Sequence, residues 1–270
     1  MAKKEPQILL TNDDGIESPG LWAAAEALAH LGHVWVVAPR EQSSGAGRSM
    51  PHDSDGVITK QTMRVHDTEW TVYAVGGTPA QVVQHAILDI MPGLPDLVVA
   101  GINYGANLGP GVTVSGTVGA AIEASTHGIP AMAVSLETHQ RYHLSHSQEI
   151  DFSASAHFTQ LIAKQYLRGG LPEDVRILKL EVPEDASPET PWEMTRLSTV
   201  RFYIALKPER DSWDEHGRPG YTFQEDYSVF AEDSDAYALL EKRVVAVTPL
   251  TLDMTSRVDL GALDKQLRGE

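Results

Sequence analysis

Apolar residues along the chain fall into short runs separated by segments with helical spacing, and this alternation predicts repeated strand, helix, strand units. Residues 7–11 (QILLT) form the first run and end in Asn12-Asp13-Asp14-Gly15, the pattern of a buried strand followed by a polar turn. Ser18 can cap and Pro19 can open a helix in which Leu21, Ala24, Leu28 and Leu31 recur at helical spacing, until Gly32 stops it. Residues 33–38 (HVWVVA) read as a second strand closed by Pro39. Such a βαβ unit has parallel strands.

A second unit begins with the apolar run at Asp96, which ends at Ile102-Asn103. A Gly-rich loop to Pro110 follows, then a small-residue helix opened by Ser115-Gly116-Thr117, a stop at Gly128 and a strand over 129–136. Between the two units, 57–63 and 69–75 alternate as a hairpin expected to stand off the sheet, and Thr78-Pro79 opens a helix to about Ile90. Downstream, the pattern predicts a helix over 152–167, a strand over 175–182, a strand-like stretch over 192–206 and a charged loop over 207–226. A helix over 233–242 and a last strand over 244–247 complete it. The expected fold is α/β, a Rossmann-like three-layer sandwich with a mainly parallel sheet and a smaller hairpin or arm region. Residues 1–182 make the α/β domain, 183–230 an arm excursion suited to oligomerisation, and 231–270 the return to that domain plus a C-terminal tail.

Composition narrows the function. Hydrophobic residues at 42% and charged residues at 21% are ordinary globular values. Lys+Arg 21 against Asp+Glu 37 gives a formal net charge of −16, which repels a phosphate backbone and argues against a large nucleic-acid partner. A small anion can still bind where a metal or backbone N–H groups serve it. The absence of cysteine removes disulfides, zinc ribbons, iron–sulfur clusters and thiol nucleophiles, and fits a reducing cytoplasm. The first apolar run stops at Leu10, short of a signal segment, and no run approaches the ~20 residues of a membrane span. A soluble, cytoplasmic protein with no membrane partner is expected.

Three polar clusters follow three predicted strands: Asn12-Asp13-Asp14, Ser43-Ser44-Gly45, and Gly101-Ile102-Asn103 with Asn107. Parallel strands place their following loops on one edge, so these clusters can converge in the crevice outside the carboxyl ends. A lone Asp-Asp pair reads as a solvated turn. In an enclosed site, however, adjacent carboxylates raise one another's pKa unless a cation is present. Carboxylates, a hydroxyl, an amide oxygen and water suit Mg²⁺, Mn²⁺ or Ca²⁺ better than zinc. Ser115-Gly116-Thr117 at a helix start offers N–H groups and hydroxyls to a phosphate, or serves as a simple cap.

Competing motifs fail on spacing. No G-x-x-x-x-G-K-[ST] occurs, Met50 replaces the last glycine that Gly45-Ala46-Gly47 would need, and Asp13 and Asp14 are adjacent rather than two apart as in haloacid dehalogenases. Neither G-x-S-x-G nor H-E-x-x-H is present. His139, His143 and His146 have helical ligand spacing, but their polar surroundings (HQRYHLSHSQE) read as a surface loop.

The chain resembles the SurE family of survival-protein nucleotidases and acid phosphatases. The matching words are ILLTNDDGIESPGL (8–21), VVAPREQSSGAG (36–47), GGTPAQVV (76–83), PDLVVAGINYGANLG (95–109), SGTVGAAIEASTHGIPAMAVSL (115–136) and VTPLTLDMT (247–255). The resemblance implies a metal-dependent phosphomonoesterase for nucleoside monophosphates, assembled as a dimer or tetramer, with 3′-monophosphates or short polyphosphate as secondary substrates. Its one divalent cation, Mg²⁺ or Mn²⁺, would be held by Asp13, Asp14, Ser44 and Asn103, with Asp13 and Asp14 as the catalytic pair. Asn12, Asn107, Ser115, Gly116 and Thr117 would position the phosphate. Two departures stand out: Gln81-Val82 where the family has Asp-Cys, and Leu180-Glu181-Val182-Pro183 at a strand end where it has an Asn-x-Asn-x-Pro pattern. A general acid phosphatase and a non-catalytic nucleotide or metal sensor on the same fold stay beside the nucleotidase reading.

Overall fold

In the computed structural model, which describes residues 4–269 apart from 66, 144 and 170, β1 (Gln7–Thr11) sends Ile8 and Leu10 into one core and Leu9 into another. Successive strand side chains point to opposite faces, so an unbroken apolar run requires cover on both sides. After β1 come α1 (Pro19–Ala29), β2 (His33–Pro39), β3 (Ile58–Val65), β4 (Thr68–Val75), α2 (Pro79–His85), β5 (Leu97–Tyr104), α3 (Gly116–Thr126), β6 (Ala131–Leu136) and α4 (Ser153–Arg168). The chain continues through β7 (Ile177–Val182), β8 (Trp192–Met194), β9 (Tyr203–Leu206), β10 (Gly220–Phe223), α5 (Asp235–Leu240), β11 (Val245–Leu250) and α6 (Leu260–Arg268).

Nine strands form one sheet in the order β3-β4-β2-β1-β5-β6-β7-β11-β8. From β4 to β7 all neighbours are parallel, while β3 and β11 run opposite to β4 and β7. Helices cover both faces. Leu21, Trp22 and Leu28 of α1 pack with Phe158 and Ile162 of α4 on one side, and Val82 and Val83 of α2 with Val118, Ala121 and Ala124 of α3 on the other. From β1 the chain first builds outward through β2 and β4, then returns to the other side of β1 for β5, β6 and β7. The switch between β1 and β5 opens the crevice in which such sheets bind ligands.

The hairpin differs from expectation: it does not stand off but extends the sheet, β4 pairing with β2 from Val36↔Val72 to Pro39↔Val75. The end of β4 is apolar and buried at Val72, Ala74 and Val75, and only pairing beside β2 covers it. The stretch 192–206 is not one strand. β8 joins the sheet beside β11, whereas β9 pairs with β10 in a separate ribbon, which also places a strand inside the segment read as a loop over 207–226. A third core gathers Ala106 and Leu108 with Phe202, Phe230, Leu239 and Leu240. The C-terminal tail contains α6, capped by Asp259, whose carboxylate accepts from the Gly261 and Ala262 amides. Among the described residues no helix is long and apolar enough to cross a membrane.

Candidate active site

The loop after β1 is buried despite its polarity: Asn12 is 0% exposed, Asp13 4% and Asp14 1%. Asn12 shapes it, its Nδ2 donating to the Gly15 carbonyl at 3.0 Å and its Oδ1 accepting from the Gly15 amide at 3.1 Å. Both amide atoms thus shape the turn, and the second Nδ2–H is not used by these two bonds.

Asp13 lies against the start of α3. Thr117 Oγ1 donates to its Oδ1 at 2.5 Å, and the Gly116 and Thr117 amides lie close enough to favour the same carboxylate's charged form. The contact requires glycine at 116, because a Cβ there would lie 2.7 Å from Asp13 Cβ and 2.8 Å from its Oδ2. Ser115 Oγ accepts from the Val118 amide at 3.1 Å and caps the helix. The helix start expected to meet a phosphate thus also meets Asp13, through the Thr117 hydroxyl. Asp14 accepts from Gln42 Nε2 at 3.1 Å and from the Tyr104 amide at 3.3 Å, which joins the loops after β1, β2 and β5.

Burial pushes the Asp13 carboxyl above its ordinary range, against the opposing pull of the Thr117 hydroxyl and the α3 amides. Asp14 is pushed well above that range, first by burial and then by the charge of Asp13. Among the described residues no Lys, Arg or His side chain forms an ion pair with either. Two buried carboxylates without a positive partner are the environment that a divalent cation relieves.

The other expected ligands sit on the adjoining loops. The Ser43 amide donates to the Asp13 carbonyl at 2.7 Å, which brings the turn carrying the exposed Ser44 alongside β1. Arg48 fastens that loop to α3 through the buried Glu123, Nε to Oε2 at 2.6 Å. Asn103 follows a register shift between β5 and β6, and its Nδ2 donates to the Gly105 carbonyl at 2.7 Å, which directs Oδ1 away from that bond. Gly101 has a positive φ of 136° and its Cα faces the Val134 carbonyl too closely for a side chain. Asn107 lies further along the loop, its Nδ2 donating to Ser135 Oγ at 3.0 Å.

The three histidines do not form a metal cluster. His139 Nδ1 accepts from the Arg141 amide, His143 meets Tyr221 Oη and the Thr138 carbonyl, and His146 Nε2 donates to the Asp14 carbonyl at 2.8 Å. Among the described residues no three His, Cys, Asp or Glu side chains are grouped to hold a metal. Sequence reasoning missed Gln42 and the buried Lys179 and Asp235, placed His146 in a surface loop, and noted Glu181 only as a departure from the family pattern. For Lys179 and Glu181 the visible signal is two charges at alternate positions of an otherwise apolar strand, IL-K-L-E-V. Of the two departures, Gln81 completes a capping box with Thr78 and donates to the Pro51 carbonyl at 2.8 Å. Glu181 reaches the site loop, accepting from the Asn107 amide at 2.9 Å.

The chain is similar to known proteins over nearly its whole length. The family model described as Survival protein SurE matches residues 8–203. A 5′-nucleotidase SurE of Thermococcus gammatolerans is 45% identical over 265 residues, covering 98% of this chain and 97% of its own length. One of Thermococcus kodakarensis is 41% identical over 262 residues, covering 97% and 98%. The crystal structure of the SurE protein from Aquifex aeolicus superposes with a TM-score of 0.72 at 34% identity, covering 97% of this chain and 100% of that one.

Proposed function

The chain belongs to the Survival protein SurE family, and from that premise and the sheet-edge geometry we propose that it hydrolyses nucleoside 5′-monophosphates with the help of one divalent cation. The observation that carries this reading is the pair of buried carboxylates, Asp13 and Asp14, at the switch between β1 and β5 with no basic partner among the described residues. Full-length similarity to proteins named 5′-nucleotidase supports the substrate class.

Asp13, Asp14, Ser44 and Asn103 would hold Mg²⁺ or Mn²⁺, an all-oxygen donor set that suits a hard cation. The chemistry such a cation would supply there is polarisation of a phosphoryl oxygen and a lowered pKa for water. The remaining work is this chain's own. Thr117 and the α3 amides hold Asp13 in place, Gln42 and the Tyr104 amide hold Asp14, and Asn12 fixes the turn between them. Asn107 and Ser115 to Thr117 border the place for the phosphate, where the positive end of α3 favours charge developing on its oxygens.

Self-association fits the same reading. The β9–β10 ribbon has unpaired edges, and Leu260, Leu263 and Leu267 of α6 are exposed. A chain without cysteine suits the reducing cytoplasm.

Phosphate release from AMP, 3′-AMP, sugar phosphates and p-nitrophenyl phosphate, each with Mn²⁺ or Mg²⁺ and with chelator, tests the proposal. The expected result is chelator-sensitive turnover with the highest kcat/KM on 5′-monophosphates. Equal rates across the panel would make this a general phosphatase, and no turnover of any substrate would make it a sensor.

A further inference from the structure

Lys179, Glu181 and Asp235 are each 0% exposed and form one ionic cluster, with Lys179 Nζ 3.0 Å from Glu181 Oε1 and 3.0 Å from Asp235 Oδ2. One ammonium faces two carboxylates, and backbone N–H groups supply the rest of the compensation. Glu181 Oε2 accepts from the Asn107 amide at 2.9 Å, and Asp235 Oδ2 accepts from the Gly109 amide at 2.9 Å. Asp235 Oδ1 accepts from the Ser198 amide at 2.8 Å and the Ala236 amide at 2.9 Å. Tyr203 Oη donates to the Ala106 carbonyl at 2.7 Å. Three backbone groups of the site loop, at 106, 107 and 109, are therefore held by side chains from β9, β7 and α5.

A cluster of this kind is poor evidence for stabilisation alone, since apolar side chains of similar volume often serve a core equally well. Its neighbours in β7 are Ile177, Leu178, Leu180 and Val182, so apolar residues would suit the strand. What apolar residues cannot do is fix the direction of the Asn107 and Gly109 amides. Strand periodicity puts Lys179 and Glu181 on the same face, where one ammonium can hold both carboxylates at a set spacing.

We infer that Glu181, held by the Lys179 ammonium that it shares with Asp235, is a positioning residue that orients the 106–109 loop, and with it Asn107, for the phosphate. The inference rests on the proposed site reading, in which this loop borders the substrate. It makes the base of the 183–230 excursion part of the site's support, because the Ser198 amide and the Tyr203 hydroxyl are held in the same network.

The test measures kcat and KM for AMP at saturating Mn²⁺, together with the Mn²⁺ concentration for half-activation. Glu181→Gln keeps volume but leaves one neutral acceptor to serve both Lys179 and the Asn107 amide. The expected result is a fall of roughly 10-fold or more in kcat/KM, taken in kcat, with half-activation by Mn²⁺ within about twofold of wild type. Adding Lys179→Gln gives one continuous hydrogen-bonded chain from the Asn107 amide through both new amides to Asp235, whose carboxylate keeps its Gly109, Ser198 and Ala236 amide donors, and should recover most of the loss. If Glu181→Gln does not fold, Tyr203→Phe removes the Ala106 contact from a partly exposed position and should lower kcat by roughly 3-fold. Wild-type kcat in the folded variants, or a loss that the double variant deepens, overturns the positioning role. Asp13→Asn is assayed in parallel: if it is also fully active, the site reading itself has failed, whereas an inactive Asp13→Asn beside an active Glu181→Gln overturns the positioning role alone.

Discussion

Thr117 Oγ1 donates to Asp13 Oδ1 at 2.5 Å across 104 positions of sequence, so the first turn of α3 and the end of β1 form one polar unit. A hydrogen bond to a charged group contributes roughly 1.5 to 3 kcal/mol. Thr117→Val leaves volume nearly unchanged and removes that donor. It should lower kcat/KM roughly 10-fold and shift Mn²⁺ half-activation as well, because the hydroxyl acts on the carboxylate that would hold the cation. Metal titration of the variant checks this, and unaltered half-activation would place the hydroxyl's effect elsewhere.

Asp13→Asn and Asp14→Asn each remove one charge at constant size. Each should reduce kcat/KM at least ~100-fold, about 2.7 kcal/mol of transition-state stabilisation. Chelation should abolish wild-type turnover, and Mg²⁺ or Mn²⁺ should restore it. Chelator-resistant wild-type activity with near-normal rates in both variants would sink the assignment.

The metal-free protein should become less stable as pH rises from the acid side. Burial raises the Asp14 carboxyl well above 3.8 in the folded state, and the adjacent Asp13 adds to the shift. Below the unfolded pKa both states are protonated and the full contribution to stability is present. As pH climbs toward the raised folded value, the unfolded chain releases its proton first and that contribution is lost. Urea melts in chelator across this window should show the decline. Asp14→Asn should flatten it, and divalent cation should reverse it near neutrality; a parallel pH slope in the variant contradicts the attribution.

Gly116→Ala places a Cβ within 2.8 Å of the Asp13 carboxylate and forces it aside. Overpacking of this kind costs about 1 to 3 kcal/mol. The variant should melt earlier and lose most of its response to Mn²⁺, which calorimetry and an activation curve read together; a full response would mean that Asp13 does not need its place on α3.

The assembled protein should be at least a dimer. Exposed Leu260, Leu263 and Leu267 on α6, with the open ribbon edges, call for cover. Light scattering at micromolar concentration should give a multiple of 29.4 kDa, and an active monomer would refute it.

The sequence by itself determined the parallel units and the identity of the polar clusters. Apolar runs such as 7–11 and 96–103 register within a few residues of chain, and period and length are local properties. The adjacency of Asp13 and Asp14, which alone reads as a solvated turn, pointed to a cation only together with the Ser43-Ser44-Gly45 and Asn103 clusters expected on the same sheet edge, since like charges repel where they are enclosed. Only the tertiary structure decided that the 58–75 hairpin extends the sheet, because burying the apolar end of β4 depends on the neighbouring β2. It decided too that Thr117 serves Asp13, and that Lys179 and Glu181 in an apolar strand are the support of a loop. The Gly109 amide meets the Asp235 carboxylate from 126 positions away. No periodicity within either segment encodes that meeting: it exists because the folded sheet brings the two chain segments together, where a buried charge has to find its donors.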